Sequence, residues 1–375
     1  MEFRIECRAL TDAVIWAARV LPTRSTVPVL GGLLLEAEAG RLRISGMDHE
    51  ASACIEVDAE IVRPGKVLVM GRRLVEVGRV LPDGVVECAV EGARFSLTGG
   101  GARFGLSVLS LDDYPALPEL PPVLGEVDAA EFADAVAQVS VAAAWDDSLP
   151  TLTGVRLALD GDRMMLAATD RYRFAVRTVT WKPGREDVSA DVLVSARRLS
   201  EITRSFDRSG ACRLALDGGS AGFEQDGARA TVRLLDGRLP RHDKLFALTD
   251  PVSVIADREE LTGSVARVAV VAEGGSPLHL TFSGGSALLQ AGYEDDVASQ
   301  RLDVELIGAD EMTVAFDPVY LSNGLSSFGA PVIRLDLMGP GQRAMITGWP
   351  SREDAVRQAT PPTHQHLLMS VKPLV

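Results

Sequence analysis

The stretch PTLTGVRLALDGDRMMLAATD, residues 150–170, decides how this chain divides, because it occurs more than once. An earlier copy is PVLGGLLLEAEAGRLRISGMD, residues 28–48. Both pass from proline through a small residue into an apolar stretch, turn at glycine between two strand-like runs, and close on aspartate at the same spacing. A weaker third copy, PLHLTFSGGSALLQAGYED, begins the same way, so copies starting at Pro28, Pro150 and Pro277 lie 122 and 127 residues apart. Such a period implies three similar units of about 125 residues, an ordinary domain size.

Each copy follows a segment with apolar residues at three and four spacing, which predicts helices over 10–22, 129–144 and 258–273. A second helix is expected in each third, over 71–82, 195–208 and 317–328. The remainder reads as short strands broken by Gly, Asp and Pro, such as KVLVM, VVECAV and RAMITG. The prolines of PALPELPPVLGEV, residues 115–127, forbid helix and favour an extended linker; a second boundary falls near residue 250. The fold class is therefore α+β, with two helices packed on antiparallel sheet three times over, in domains 1–122, 123–250 and 251–375.

No catalytic constellation emerges. The sequence contains no GxGxxG after a strand, no GxxxxGK[ST], no GxSxG and no HExxH, so no catalytic residue and no cofactor are assigned. Gly99, Gly100 and Gly101 lie between two strand-like runs and read as a hairpin turn rather than a phosphate loop. Cys7, Cys54, Cys88 and Cys212 are scattered in apolar segments without CxxC spacing, which suggests free, mostly buried thiols. His364 and His366 have ligand-like spacing but no evident further ligands, so no metal is expected. The N-terminus shows no secretory pattern and no apolar run approaches membrane-spanning length, so a cytoplasmic protein is expected.

The net charge of −14 argues against a groove that grips nucleic-acid phosphates tightly. The arginines are nevertheless concentrated: Arg72, Arg73 and Arg79 in one predicted helix, Arg197, Arg198, Arg204 and Arg208 in another, with Arg19, Arg24 and Arg267 near the first set. Equivalent helices on one concave face would make that face basic and the outside acidic, a surface that suits duplex DNA held loosely through phosphate charge. The segment LAATDRYRFAV, residues 166–176, stays open at this point between catalytic loop, binding pocket and plain hairpin turn.

Over essentially its full length the chain resembles the bacterial DNA polymerase III beta subunit, the replicative sliding clamp. TRSTVPVLGGLLLEA with LRISGMDHEASA resembles the family's first domain, ATDRYRFAV its T-D-x-x-R-[LF]-A signature, LLDGRLPRHDKL its L-[VI]-x-G-x-[FY]-P segment, and HLLMSVK its ending. The resemblance implies a head-to-tail homodimeric ring that encircles duplex DNA without sequence preference, with helices inside, sheets outside and no enzymatic activity. It also implies replicative and repair polymerases and a clamp loader as partners, docking through short peptide motifs. By motif position the peptide pocket would comprise Leu152, Thr169, Arg171, Tyr172, Arg173, Phe174, Pro240, Leu245, Leu367, Met369, Ser370 and Val371. Arg173 and Thr169 are expected to meet polar parts of the peptide, and deletion of residues 367–375 to remove docking alone. DNA-facing residues would be Arg24, Arg72, Arg73, Arg79, Arg197, Arg198 and Arg204.

Several positions depart from the family pattern. Family members commonly carry Gly at the position of Arg171, His or Tyr at Tyr172, Pro at Ser370 and Arg at Lys372, and the third second-helix here lacks a basic residue. These departures leave an alternative beside the main processivity clamp: a specialised second copy whose altered pocket serves some partners or resists a clamp-targeting antibiotic. Abundant Ala, Gly, Val and Arg with 5 % aromatics suggest a GC-rich genome such as that of an actinomycete.

Overall fold

A computed structural model describes residues 1–22, 27–146, 148–273, 275–293 and 295–372. The repeated motif folds three times into the same hairpin: Gly32–Glu38 with Arg41–Met47, Gly154–Asp160 with Arg163–Thr169, and Leu278–Ser283 with Ser286–Tyr293. Side chains alternate across a strand, and the same alternate positions are buried each time: Leu33, Leu35 and Ala37, then Val155, Leu157 and Leu159, then Leu278, Leu280 and Phe282. The Gly99 to Gly101 run is a hairpin turn, as expected. Gly99 pairs with Ala102, while Gly100 and Gly101 take the two positive φ values, +55° and +81°, that a tight hairpin turn requires.

The helices are α1 (Cys7–Ala17), α2 (Gly71–Val80), α3 (Ala129–Ser140), α4 (Ala196–Thr203), α5 (Asp243–Phe246), α6 (Arg258–Val268), α7 (Pro318–Ser326) and α8 (Arg352–Arg357). Six match the expected ones. Three start after an aspartate that closes a strand run: Asp128 accepts from Glu131 N–H, Asp257 from Glu260 N–H, and Asp317 from Val319 and Tyr320 N–H. α4 stops at Thr203, short of the expected residue 208. There the Thr203 and Ser205 hydroxyls bond back to the Leu199 and Ile202 carbonyls, which competes with further helical turns.

The chain groups into two units, Met1–Ala133 with Trp181–Val188 and Arg198–Leu234, and Asp134–Thr180 with Ser189–Arg197 and everything from Leu235 onward. Each is built on antiparallel sheet. The first carries one 14-stranded sheet in which Ala228–Arg233 of the middle repeat pairs with Ala51–Asp58 of the first, with Ala230 opposite Ala53. α1 and α2 pack against each other there and bury Leu10, Val14, Leu74 and Val77. Of the expected linker 115–127, residues 115–122 carry no regular secondary structure, while residues 123–127 belong to the strand Val123–Asp128 and so depart from the expectation.

The second unit has a 9-stranded and a 4-stranded sheet. In the former, Arg173–Thr180 pairs with His364–Met369, which in turn pairs with Arg343–Trp349, so the last strand lies inside the sheet. In the latter, Asp296–Asp303 forms an edge. The four cysteines are free, and Cys7, Cys88 and Cys212 are buried. Burial pushes the Cys88 and Cys212 thiols up to about 12, which makes them unreactive at neutral pH. Among the described residues no helix is long and apolar enough to cross a membrane.

Candidate functional site

The turn between Arg163–Thr169 and Arg173–Thr180 is tied to itself. Thr169 Oγ1 donates to the Arg173 carbonyl (2.6 Å) and accepts from Arg171 N–H (3.2 Å). Asp170 accepts from the N–H groups of Tyr172 (3.0 Å) and Arg173 (3.1 Å) and from Arg173 Nε (2.9 Å). The Arg173 guanidinium then lies 4.5 Å from the centroid of the Tyr320 ring, on which Tyr172 also stacks at 6.0 Å. Thr169 and Arg173 are both 3 % exposed. The polar role expected of them is therefore corrected: their groups are turned inward and brace the loop that a partner would touch.

Behind the turn lies an apolar floor of Phe174, Ala167, Val176, Met345 and Leu367, with Met165, Phe246 and Leu248 packed on it. Phe174, Phe246 and His242 form a ring cluster with centroids 5.3–5.7 Å apart. Burial pushes the His242 pKa down and keeps the ring neutral at pH 7. The C-terminal strand joins the turn directly, with Met369 N–H donating to the Tyr172 carbonyl (3.0 Å). Arg343, opposite Met369, donates to the carbonyls of Lys244 (3.0 Å) and Leu245 (2.7 Å) and so ties the α5 segment to the same place.

Tyr172 (59 % exposed), Met369 (40 %), Val371 (37 %) and Leu245 (37 %) leave large apolar surface open around this floor. Isolated exposed apolar residues need no explanation, but a cluster over an aromatic floor makes a candidate docking site. Of the expected pocket residues, Leu152 is half-buried in the turn Pro150–Thr153, which packs beside Arg163–Thr169, and Pro240 is exposed ahead of α5. Met345, Phe246, His242, Tyr320 and Arg343 adjoin this floor and turn and were not anticipated. The expectation that residues 367–375 can be removed cleanly is corrected, since His364–Met369 is an interior strand whose loss would leave two neighbours unpaired.

Two departures from the family pattern now have a geometry. Ser370 N–H donates to the Gln342 carbonyl (2.9 Å), and its hydroxyl accepts from Gln342 N–H (3.0 Å) and lies 2.9 Å from the Gly339 carbonyl. Proline, which has neither an N–H nor a hydroxyl, could form none of these bonds. Arg171 sits at φ +84°, the value required at the third position of a type II turn and normally met by glycine. A side chain there costs ~1–2 kcal/mol. Arg171→Gly is therefore expected to stabilise the protein by ~1 kcal/mol, raising the melting temperature by ~2 °C in a calorimetric scan. A lower melting temperature would show that contacts of the Arg171 side chain outweigh the strain.

The arginines expected to face DNA separate into two kinds. Arg72, Arg73 and Arg79 are exposed on the face of α2 opposite buried Leu74 and Val77, although Arg73 also pairs with Glu76 (2.7 Å). Arg197 and Arg204 are exposed on and just after α4. Arg198 is not available to a phosphate: its side chain is 11 % exposed and pairs with Asp48, Glu201 (3.1 Å) and Glu50 (3.7 Å). That assignment is corrected, because three carboxylates already neutralise the group inside the first unit. Arg24 lies outside the described residues.

Comparison with known proteins gives the arrangement its context. The models of the N-terminal, central and C-terminal domains of the DNA polymerase III beta subunit match residues 1–118, 126–241 and 249–361 in order. The chain belongs to this family. It is a DNA sliding clamp, with DNA and the polymerase as its partners. The beta sliding clamp of Streptomyces coelicolor is 42% identical over 378 residues, covering 99% of each chain, in keeping with the actinomycete character of the composition. The beta sliding clamp homolog GriR of Streptomyces muensis is 38% identical over 351 residues, 93% of this chain and 94% of that one. A crystal structure of the Pseudomonas aeruginosa sliding clamp bound to griselimycin has the same fold, with a TM-score of 0.90 at 24% identity over 99% of each chain.

Proposed function

We propose that two copies of this chain close head to tail into a ring of six domains, bounded at 1–122, 123–250 and 251–375 in each copy, around duplex DNA in the cytoplasm. The observation that carries this reading is a pair of open strand edges. Among the described residues, 102–107 of the strand Ala102–Leu109 pair on one side only, with Arg94–Gly99, and Asp296–Asp303 pairs only with Ser286–Tyr293. Unpaired edges recruit another chain unless they are covered. Because the two belong to different units, joining one to the other gives a heterologous contact, which either closes into a ring or grows a filament. An ATP-driven clamp loader would open the ring, and polymerases would dock short peptides on Tyr172, Phe174, Leu245, Leu367, Met369 and Val371.

Retention on DNA tests the ring and its lining together. The protein is expected to remain on nicked circular DNA and to escape when the circle is cut, whereas equal escape from both would refute encirclement. In an Arg72→Glu and Arg197→Glu double variant, the plot of log retention against log salt is expected to lose about one unit of slope per phosphate contact removed. An unchanged slope would remove these residues from the lining. A second reading, a specialised clamp copy with an altered pocket, is favoured by the positive φ of Arg171 and by the bonds of Ser370.

A further inference from the structure

We infer that Arg171 reads the charge of the docking partner: the peptide that fits this pocket carries an acidic side chain beside its apolar anchors. This rests on the pocket reading given above. Among the described residues four other non-glycine residues have positive φ, Ala39, Asp226, Asp250 and Gln358, and all lie at +47° to +51°, inside the ordinary left-handed basin. Arg171 at +84° lies outside it, where glycine would be at ease. A strained conformation that persists points to a task for the side chain that imposes it.

The surroundings say which task. Arg171 is exposed, and no ion pair forms on it among the described residues. The two carboxylates beside the Tyr172 and Tyr320 rings are both used internally. Asp170 is taken up by the turn and by Arg173, and Asp317 caps α7. Asp243, on α5, stands 3.7 Å from the neutral His242 ring with its side chain exposed, so it offsets the charge of neighbouring Lys244. Cations flank the apolar patch on its other sides: Arg343 opposite Met369, Lys244 on α5, and Lys372 next to Val371. In a chain of net charge −14, this rim is cationic against the average, and its complement is an acidic peptide.

The test is a titration of the full chain with a short synthetic peptide bearing Leu and Phe anchors, made in a Glu-flanked and a Gln-flanked version. The unmodified protein is expected to prefer the Glu version about three- to fivefold, the range of an exposed ion pair, and to lose the preference at high salt. Arg171→Gly should bind both versions alike, and Arg171→Glu should favour the Gln version. If the unmodified protein binds the two equally, or Arg171→Gly keeps the preference, the inference is overturned while the pocket stands. If neither version binds, or if Met369→Asp leaves binding untouched, the pocket reading itself falls and the inference with it.

Discussion

A Val270→Asp chain is expected to sediment as a 39.9 kDa monomer and to leave circular DNA that its parent holds. Val270, just after α6, is 77 % exposed, and Val297, on the edge strand Asp296–Asp303, is 78 % exposed. Both stand on the side of the second unit that the head-to-tail contact would cover, since α6 packs along that edge strand. Val270 is largely exposed, so the isolated chain is expected to keep its fold. Within a closed ring it would place a carboxylate among apolar groups. An uncompensated buried charge costs ~3–5 kcal/mol, which weakens an interface by a factor on the order of 10² to 10⁴. Two such interfaces close the ring, so the loss is felt twice. Sedimentation at micromolar protein and retention on nicked circles are the measurements. A variant that remains dimeric would move the interface away from this edge and leave the exposed valines unexplained.

The threefold hairpin was legible because its signal is local: alternate apolar residues and a glycine turn specify each copy without help from the rest of the chain. α5 and α8 escaped notice because four and six residues are too short to display a helical period. Arg197 and Arg198 look alike in the sequence, yet successive residues of an α-helix are rotated by about 100°. That rotation leaves one exposed and takes the other into the carboxylates of Asp48 and Glu201. The pocket floor depends on register between distant strands, as where Leu367 meets Phe174 on one side and Met345 on the other. Phe246, by contrast, immediately follows the quoted LLDGRLPRHDKL segment and was within reach. Thr169 and Arg173 turn their polar groups inward rather than outward, because spacing reveals neighbours and not which groups the turn itself will satisfy.

Mild acid is expected to destabilise the protein well before its carboxylates protonate. His364 and His366 lie on the interior strand His364–Met369, 5 % and 0 % exposed, and neither ring nitrogen of either residue has a hydrogen-bond partner. His364 stacks on Phe328 with ring centroids 4.1 Å apart. Burial pushes both pKa values down to about 3, with Arg177 adding to the effect on His364, and His364 and Arg173 to that on His366. In the unfolded chain both rings titrate near 6.5. Between those values the unfolded state takes up protons that the folded state refuses. Stability is therefore full above pH 6.5 and falls as the pH drops toward 3, by up to ~1.4 kcal/mol per pH unit for each histidine. His242, lowered in the same direction, adds to the slope. The carboxylates with depressed pKa values, Glu56, Asp146, Asp191, Asp207 and Asp217, start from 4.5 or 3.8, so their contribution is lost only below that range. The interval from pH 6.5 to about 4.5 thus belongs to the histidines. A urea midpoint measured across it should fall steeply in the unmodified protein and much less in a His364→Phe, His366→Leu double variant, in which apolar rings and chains fill the same space. An equal slope in both would mean that these histidines accept protons in the folded state, and the strand that presents Leu367 and Met369 would then have to be looser than its burial implies.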